Sequence, residues 1–306
     1  MPDSRCRPLQ GKAKSGSFLC RHGSRGCTRD DSFIRTAESI SRLDYSREGF
    51  IKAFKEANVV KAIGMGLTEQ RKGAFPDDTT PNPMLLDLDD LPRGLYFCPG
   101  INPAALKKNR DRELEKIERI IREKTVAGIK IYAGYYPYYV YDSIYEPVYA
   151  LAEKYDLPLV IHTGVTYSEK GHLKYSHPLT VDEAAVRFPK NIFVVAHLGD
   201  PWHLDACALL WKNPNVYADL SGLLNCGKTE VEATIRNPRE TAYLAGILAY
   251  ADVYDRLLFG SDWPLVPVLP YIEYIKAIIP EKYHEAVFYK NALNVFAKLN
   301  EYYEKI

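Results

Sequence analysis

Three residues of this 306-residue chain stand where short apolar runs end: His162, His197 and Asp262. Leu159-Val160-Ile161 leads into His162-Thr163-Gly164, and Val194-Val195-Ala196 into His197-Leu198-Gly199-Asp200. Leu257-Leu258-Phe259 leads into Gly260-Ser261-Asp262-Trp263-Pro264. A short apolar run closed by glycine reads as a strand buried on both faces. The residue that ends it can project from a rigid edge into a cleft. Two imidazoles and a carboxylate are donors suited to Zn²⁺, Fe²⁺ or Mn²⁺, with a position left open for water. A bound ion lowers the pKa of that water toward 7, and a carboxylate beside it can take the proton. A lone histidine more often just satisfies a buried hydrogen bond. Three strand ends of this kind in succession argue for chemistry.

The elements that must position them repeat along the chain. Phe50, Ala53, Phe54 and Ala57 fall on one helix face, and seven strands are legible near residues 60, 96, 129, 160, 194, 217 and 258. Between them the spacing predicts helices over 144–155, from Thr180 to about 188, over 202–211 and over 238–251, with a helical tail over about 270–300. Thr180-x-x-Glu183 has the spacing of a capping box. Strands alternating with helices at about 30-residue intervals imply right-handed crossovers and a parallel sheet. No Gly-rich phosphate loop follows any strand, which disfavours a doubly wound open sheet. Polar residues at several strand ends suit an α/β (β/α)₈ TIM barrel, whose active sites lie at the C-terminal strand ends. Such a barrel needs one more strand, before residue 46, so its first strand is weak or missing.

Composition narrows the function classes. A formal net charge of +1 implies no general attraction to nucleic acid or anionic lipid, and no apolar run is long enough to span a membrane. Six cysteines without a C-x-x-C pair point to reduced thiols and a cytoplasmic protein. Residues 1–31 carry seven Lys/Arg against three Asp and little apolar periodicity. They read as a basic, disordered or aberrant leader, leaving residues 32–306 as the barrel domain.

The motifs also resemble a known family. Gly128-Ile-Lys-Ile-Tyr132, Pro158-Leu-Val-Ile-His-Thr-Gly164, His177-Pro178-Leu179 and Arg187-Phe188-Pro189 are similar to segments of the amidohydrolase-related, metal-dependent TIM-barrel hydrolases. So are Ala196-His-Leu-Gly199, Asn215-Val-Tyr-Ala-Asp-Leu-Ser221 and Phe259-Gly-Ser-Asp-Trp-Pro264. The resemblance covers about 46–300 and points to the aminocarboxymuconate-semialdehyde decarboxylase-like branch. It implies His162 and Asp262 as metal ligands, with His197 as a ligand or, in that branch, the acid/base that orients water or substrate. The family's first strand ends in His-x-His, and this chain has none. Cys20 and His22 have the same spacing, and Cys is a competent Zn²⁺ ligand, so they are candidate metal ligands.

Lys130 and Tyr132 are candidates for substrate binding, Lys130 toward a carboxylate, although a solvated lysine on the barrel rim fits the pattern equally. The tyrosines of 132–149 could wall the mouth or serve packing. His172 and His177 lie in a loop, His203 and His284 are expected on helix surfaces, and Asp219 and Ser221 are expected to orient groups around the site. The expected activity is hydrolysis of a small molecule by water activated on one divalent ion, with Zn²⁺ ranked ahead of Mn²⁺ or Fe²⁺. Asp262 accepts the proton, and His197 shuttles it or polarises the substrate. Nonoxidative decarboxylation on the same metal and a degenerate, non-catalytic barrel are the alternatives. A homodimer is the default assembly, with no nucleic-acid or membrane partner.

Overall fold

The computed structural model describes residues 41–44, 46–67, 91–166, 168 and 170–301. Helix α1 (Arg47–Glu56) opens on Ser46, whose Oγ accepts from the Gly49 amide at 3.1 Å. Strands β1 (Ala62–Leu67) and β2 (Leu95–Gly100) follow, then α2 (Arg110–Ile121), capped by Asn109, and β3 (Ile129–Ile131). Helix α3 (Glu146–Lys154), β4 (Leu159–Ile161), α4 (Thr180–Arg187) and β5 (Phe193–Val195) continue the alternation. Then come α5 (His203–Lys212), β6 (Val216–Asp219), α6 (Lys228–Ile235), α7 (Pro238–Ala251), β7 (Leu257–Leu258) and α8 (Val268–Ile278). All seven expected strands form. They lie parallel in the order β1-β2-β3-β4-β5-β6-β7, the topology of a (β/α)₈ TIM barrel. Among the described residues no strand precedes Ala62. Cys20, His22 and the leader over 1–31 lie outside the described residues.

Alternation along each strand makes two cores. Ile129, Ile131, Leu159, Ile161, Phe193 and Val195 face the helices, whereas Val160, Val194 and Leu258 pack inward with Tyr96, Cys98 and Phe296. Register pairs Lys130 with Val160, Val160 with Val194 and Val194 with Tyr217. Lys130 is therefore the charged member of an inward layer, at 4 % exposure. The solvated rim lysine is overturned: the residue is buried in the middle of β3.

Local chemistry revises three other expectations. The Thr180 capping box does not form: the helix cap is Leu179, and Thr180 Oγ1 instead donates to His177 O at 2.7 Å. The turn through His177-Pro178-Leu179 runs straight into the helix and takes up that hydroxyl. The tail is not one helix, because Pro280 follows α8 and short helical turns replace it through Glu301. His203 is 1 % exposed rather than on the surface, with Nδ1 3.2 Å from Leu198 O and Nε2 3.0 Å from Asp200 Oδ1. Helix α5 buries its histidine and turns Leu204, Ala208 and Trp211 to solvent.

Cys98, Cys207 and Cys226 are free and buried. Burial pushes the Cys98 thiol from its ordinary 9.0 up to about 12, against the pull of Lys130. An unfolded chain ionises this thiol at its ordinary value, so the stability it contributes is present below pH 9 and lost as pH rises toward 12. Urea unfolding at stepped pH should show Cys98→Ala losing less stability than the parent across that window. The slopes should differ by up to about 1.4 kcal/mol per pH unit. Parallel slopes would show that the thiol is not shielded.

Candidate active site

His162 continues the line of β4, and its amide donates to Ile131 O at 2.8 Å, so the adjacent strand fixes its backbone. The other two residues are presented differently. His197 follows β5 in a turn with φ 61°, and Asp262 lies beyond β7 with φ 61°. Left-handed backbone at non-glycine residues is costly and persists where the surroundings impose it. Around His197 they do. Thr163 Oγ1 donates to Ala196 O at 2.6 Å, the Val165 amide donates to Asp200 O at 3.0 Å, and the His197 amide donates to Asp219 Oδ1 at 3.1 Å. Gly164 permits this stitching: a Cβ there would lie 2.5 Å from Asp200 O, at φ +96°.

The rings of His162 and His197 are 5.1 Å apart and close to edge-on, and the Tyr135 ring lies 5.0 Å from His162. His162 is 6 % exposed, and its Nε2 is buried without a hydrogen-bond partner. Burial first, then its neighbours His197 and Lys130, holds its pKa well below the ordinary imidazole range. The ring is neutral and carries an unused lone pair.

His197 belongs to a relay. Its Nδ1 lies 2.9 Å from Ser221 Oγ and 3.1 Å from Ser221 O, and Ser221 Oγ donates to Asp219 Oδ1 at 2.5 Å. Asp219 Oδ1 also accepts from the Ser221 amide at 3.0 Å. The hydroxyl proton of Ser221 is thus committed to a carboxylate, and a carbonyl can only accept. Nδ1 must be the protonated nitrogen, which leaves Nε2 as the basic one. The expectation that Asp219 and Ser221 orient groups around the site agrees with these contacts.

Asp262 reaches the same place. A Cβ on Gly222 would lie 2.6 Å from His197 Nδ1 and 3.3 Å from Asp262 Oδ2, so both side chains rest against the bare Cα. Burial lowers the Lys130 pKa, and Asp219, Asp262 and Cys98, in that order, pull it back up. Its ammonium stands 5.5 Å from the Tyr132 ring centre, and Tyr132 packs edge-on against Tyr135 at 6.0 Å. Burial raises the Tyr132 phenol far above its ordinary range, with Tyr135 and then Asp262 adding to the rise. Of the tyrosine-rich stretch, Tyr132 and Tyr135 line the site, whereas Tyr136, Tyr145 and Tyr149 are core.

The structure thus gathers His162, His197, Asp262, Lys130 and Tyr132. Sequence reasoning missed Thr163, Gly164, Asp200, His203 and Gly222, which shape the turns. Only the glycines, at the ends of apolar runs, carried a signal. Among the described residues no three His, Cys, Asp or Glu side chains form a group that could hold a metal ion. In donor type, however, the orphaned His162 Nε2 and the Asp262 carboxylate fit a divalent cation.

The family model described as Amidohydrolase matches residues 62–298. No curated protein matches the sequence. Among solved structures, an uncharacterised TIM-barrel protein from Bordetella bronchiseptica aligns over 83 % of both chains at 19 % identity and TM-score 0.60. A probable 2-pyrone-4,6-dicarboxylic acid hydrolase from Acinetobacter baumannii, with citric acid bound, covers 82 % of this chain and 89 % of its own, at 14 % identity and TM-score 0.53. A 5-carboxyvanillate decarboxylase from Novosphingobium aromaticivorans, complexed with manganese, covers 83 % and 81 % at 16 % identity and TM-score 0.52. At such identities the shared feature is the barrel itself. The family match is of another kind, running from β1 past the last strand into the C-terminal helical turns: this chain is an enzyme of the amidohydrolase family.

Proposed function

We propose that the protein hydrolyses a C–N or C–O bond of a small molecule with the help of one divalent ion. The observation that carries this reading is the relay that leaves His197 Nε2 basic beside the orphaned His162 Nε2. Hydrolysis needs a base for the proton of water, and this arrangement supplies one. His162 and Asp262 would hold the ion, together with donors beyond the described residues, where Cys20 and His22 are the candidates. The ion supplies Lewis acidity and lowers the pKa of water toward neutrality, with Zn²⁺ ranked ahead of Mn²⁺ or Fe²⁺. Asp262 accepts the proton, and His197 relays it toward the leaving group. Lys130 and Tyr132 bound the substrate end, a cation beside an aromatic face.

One observation favours decarboxylation instead. A lysine buried in the interior is a ready anchor for a substrate carboxylate. The experiment that separates the readings is turnover of a small panel of lactones, amides and aromatic acids in ¹⁸O-labelled water. Label in the product without release of CO₂ supports hydrolysis; CO₂ without label overturns it.

The relay makes its own prediction. Ser221→Ala removes the hydroxyl that joins His197 to Asp219, so Nδ1 keeps only the Ser221 carbonyl. Turnover should fall about 10- to 100-fold, the usual cost of losing an orienting partner one shell out. Substrate KM should stay within about threefold, because Ser221 bounds no substrate surface in this reading. A rise in KM at constant kcat would place Ser221 in substrate binding instead.

A further inference from the structure

The relay from His197 depends on one turn, Leu220-Ser221-Gly222-Leu223, which leaves β6 at its C-terminal end. Ser221 meets His197 Nδ1 with both its hydroxyl and its carbonyl, and the imidazole rests on the bare Cα of Gly222. The place of this backbone therefore sets where His197 Nε2 points. Asp219 holds the turn through the Ser221 amide and hydroxyl. Gly260, just past β7, passes so close that a Cβ on it would lie 2.9 Å from the Ser221 Cβ.

A third hold comes from another element. Tyr271 lies in the first turn of α8 and is fully buried. Its Oη donates to Leu220 O at 2.5 Å and accepts from the Leu223 amide at 3.2 Å. A carbonyl can only accept and an amide N–H only donate, so one hydroxyl serves both ends of the turn. Leu220 and Leu223 are buried as well, and water is a poor substitute for this oxygen. Burial first, then Tyr274, raises the phenol pKa well above its ordinary range, against the Leu223 amide, and Asp219 and Asp262 add to the rise. The hydroxyl keeps its proton for Leu220 O. Packing alone would be served by phenylalanine, since the ring meets Phe259 at 6.2 Å and Tyr274 at 5.8 Å. The hydroxyl needs another explanation, and its contacts are the two ends of the turn.

We propose that Tyr271 is a positioning residue of this enzyme, whose hydroxyl clamps the Ser221-Gly222 turn and through it fixes the tautomer and aim of His197. It acts on no reacting atom itself. The role rests on the relay reading, in which His197 Nε2 is the basic nitrogen. The clamp also ties two strand ends together. Helix α8 is the element that follows Asp262, so the segment carrying that carboxylate is anchored to the turn that orients His197.

Tyr271→Phe removes one oxygen and keeps the ring. Its first readout is the ¹⁵N spectrum of the His197 ring in histidine-labelled, full-length protein, with His197→Gln supplying the assignment. The parent should show a fixed Nδ1–H and an unprotonated Nε2. In Tyr271→Phe the two nitrogen signals should draw together as the tautomers interchange, while far-UV circular dichroism matches the parent. The second readout is turnover of the lactone, amide and aromatic-acid panel. It should fall about 10-fold or more, with KM within about threefold. In a Tyr271→Phe/Ser221→Ala double variant the losses should not multiply, because both substitutions break one chain of contacts. An unchanged His197 spectrum in Tyr271→Phe would overturn the proposal, and so would fully multiplicative losses in the double variant. Ser221→Ala at the parent rate would overturn the relay reading itself, and the His197 spectrum of Tyr271→Phe then decides the clamp alone.

Discussion

Asp262→Asn should abolish metal-dependent turnover, by about 10³-fold or more, with its thermal midpoint near that of the parent. The substitution removes an anionic donor and the group proposed to accept the proton, and positioned proton transfer alone is worth about 10²–10⁴. It conserves shape, and Asp262 is only half-buried, so little packing is lost. His162→Gln tests the other half of the site. It removes the imidazole lone pair, and bound metal measured by elemental mass spectrometry should fall from about one ion per chain to a small fraction. A Cys20→Ala/His22→Ala double variant completes the set. Loss of metal in it would make the Cys-x-His pair ligands of this enzyme, and retention would leave the described residues as the main holders. Turnover at the parent rate in both Asp262→Asn and His162→Gln would sink the proposed role of these side chains.

Legibility followed the physics of each level. All seven strands could be read because each is a short apolar run covered on both faces, and such runs are hard to mistake when they recur at a fixed interval. His162 was visible for the same reason, since it merely continues its strand. His197 and Asp262 were placed at strand ends, but the structure sets both in left-handed turns, and the modest tolerance of histidine and aspartate for that backbone does not tell which residues of a chain adopt it. The His197 turn is held by partners more than 20 residues away, Asp219 on the His197 amide and Thr163 on Ala196 O. Lys130 was read as equally at home on a rim because its flanking residues are apolar on both sides, and only the register of three strands places it inside. His203 was misread because an imidazole takes a place in the inward apolar stripe of α5, beside Ala206, Cys207, Leu209 and Leu210, where its ring nitrogens find Leu198 O and Asp200 Oδ1.

Two glycines give the clearest contrast between site and surface. Gly222 has φ +67°, and a methyl group on it would stand 2.6 Å from His197 Nδ1, where atoms cannot remain. Gly222→Ala should therefore act on the site in two ways. The left-handed backbone costs about 1–2 kcal/mol for any residue with a Cβ, and the methyl displaces the imidazole from Ser221 and from the neighbouring Asp262 carboxylate. A shift of about 1 Å in a positioned group can cost on the order of 100-fold in rate. Turnover should fall by at least that factor, with a small loss in thermal midpoint and metal content close to the parent's, because His162 is untouched. Gly246→Ala is the matched control. It sits in mid-helix with nothing near its Cβ, and should stabilise the chain by about 0.5–1 kcal/mol while leaving turnover unchanged. If Gly222→Ala kept full activity, the imidazole could move without consequence, and neither the relay to Asp219 nor a basic Nε2 at His197 would be needed for the reaction.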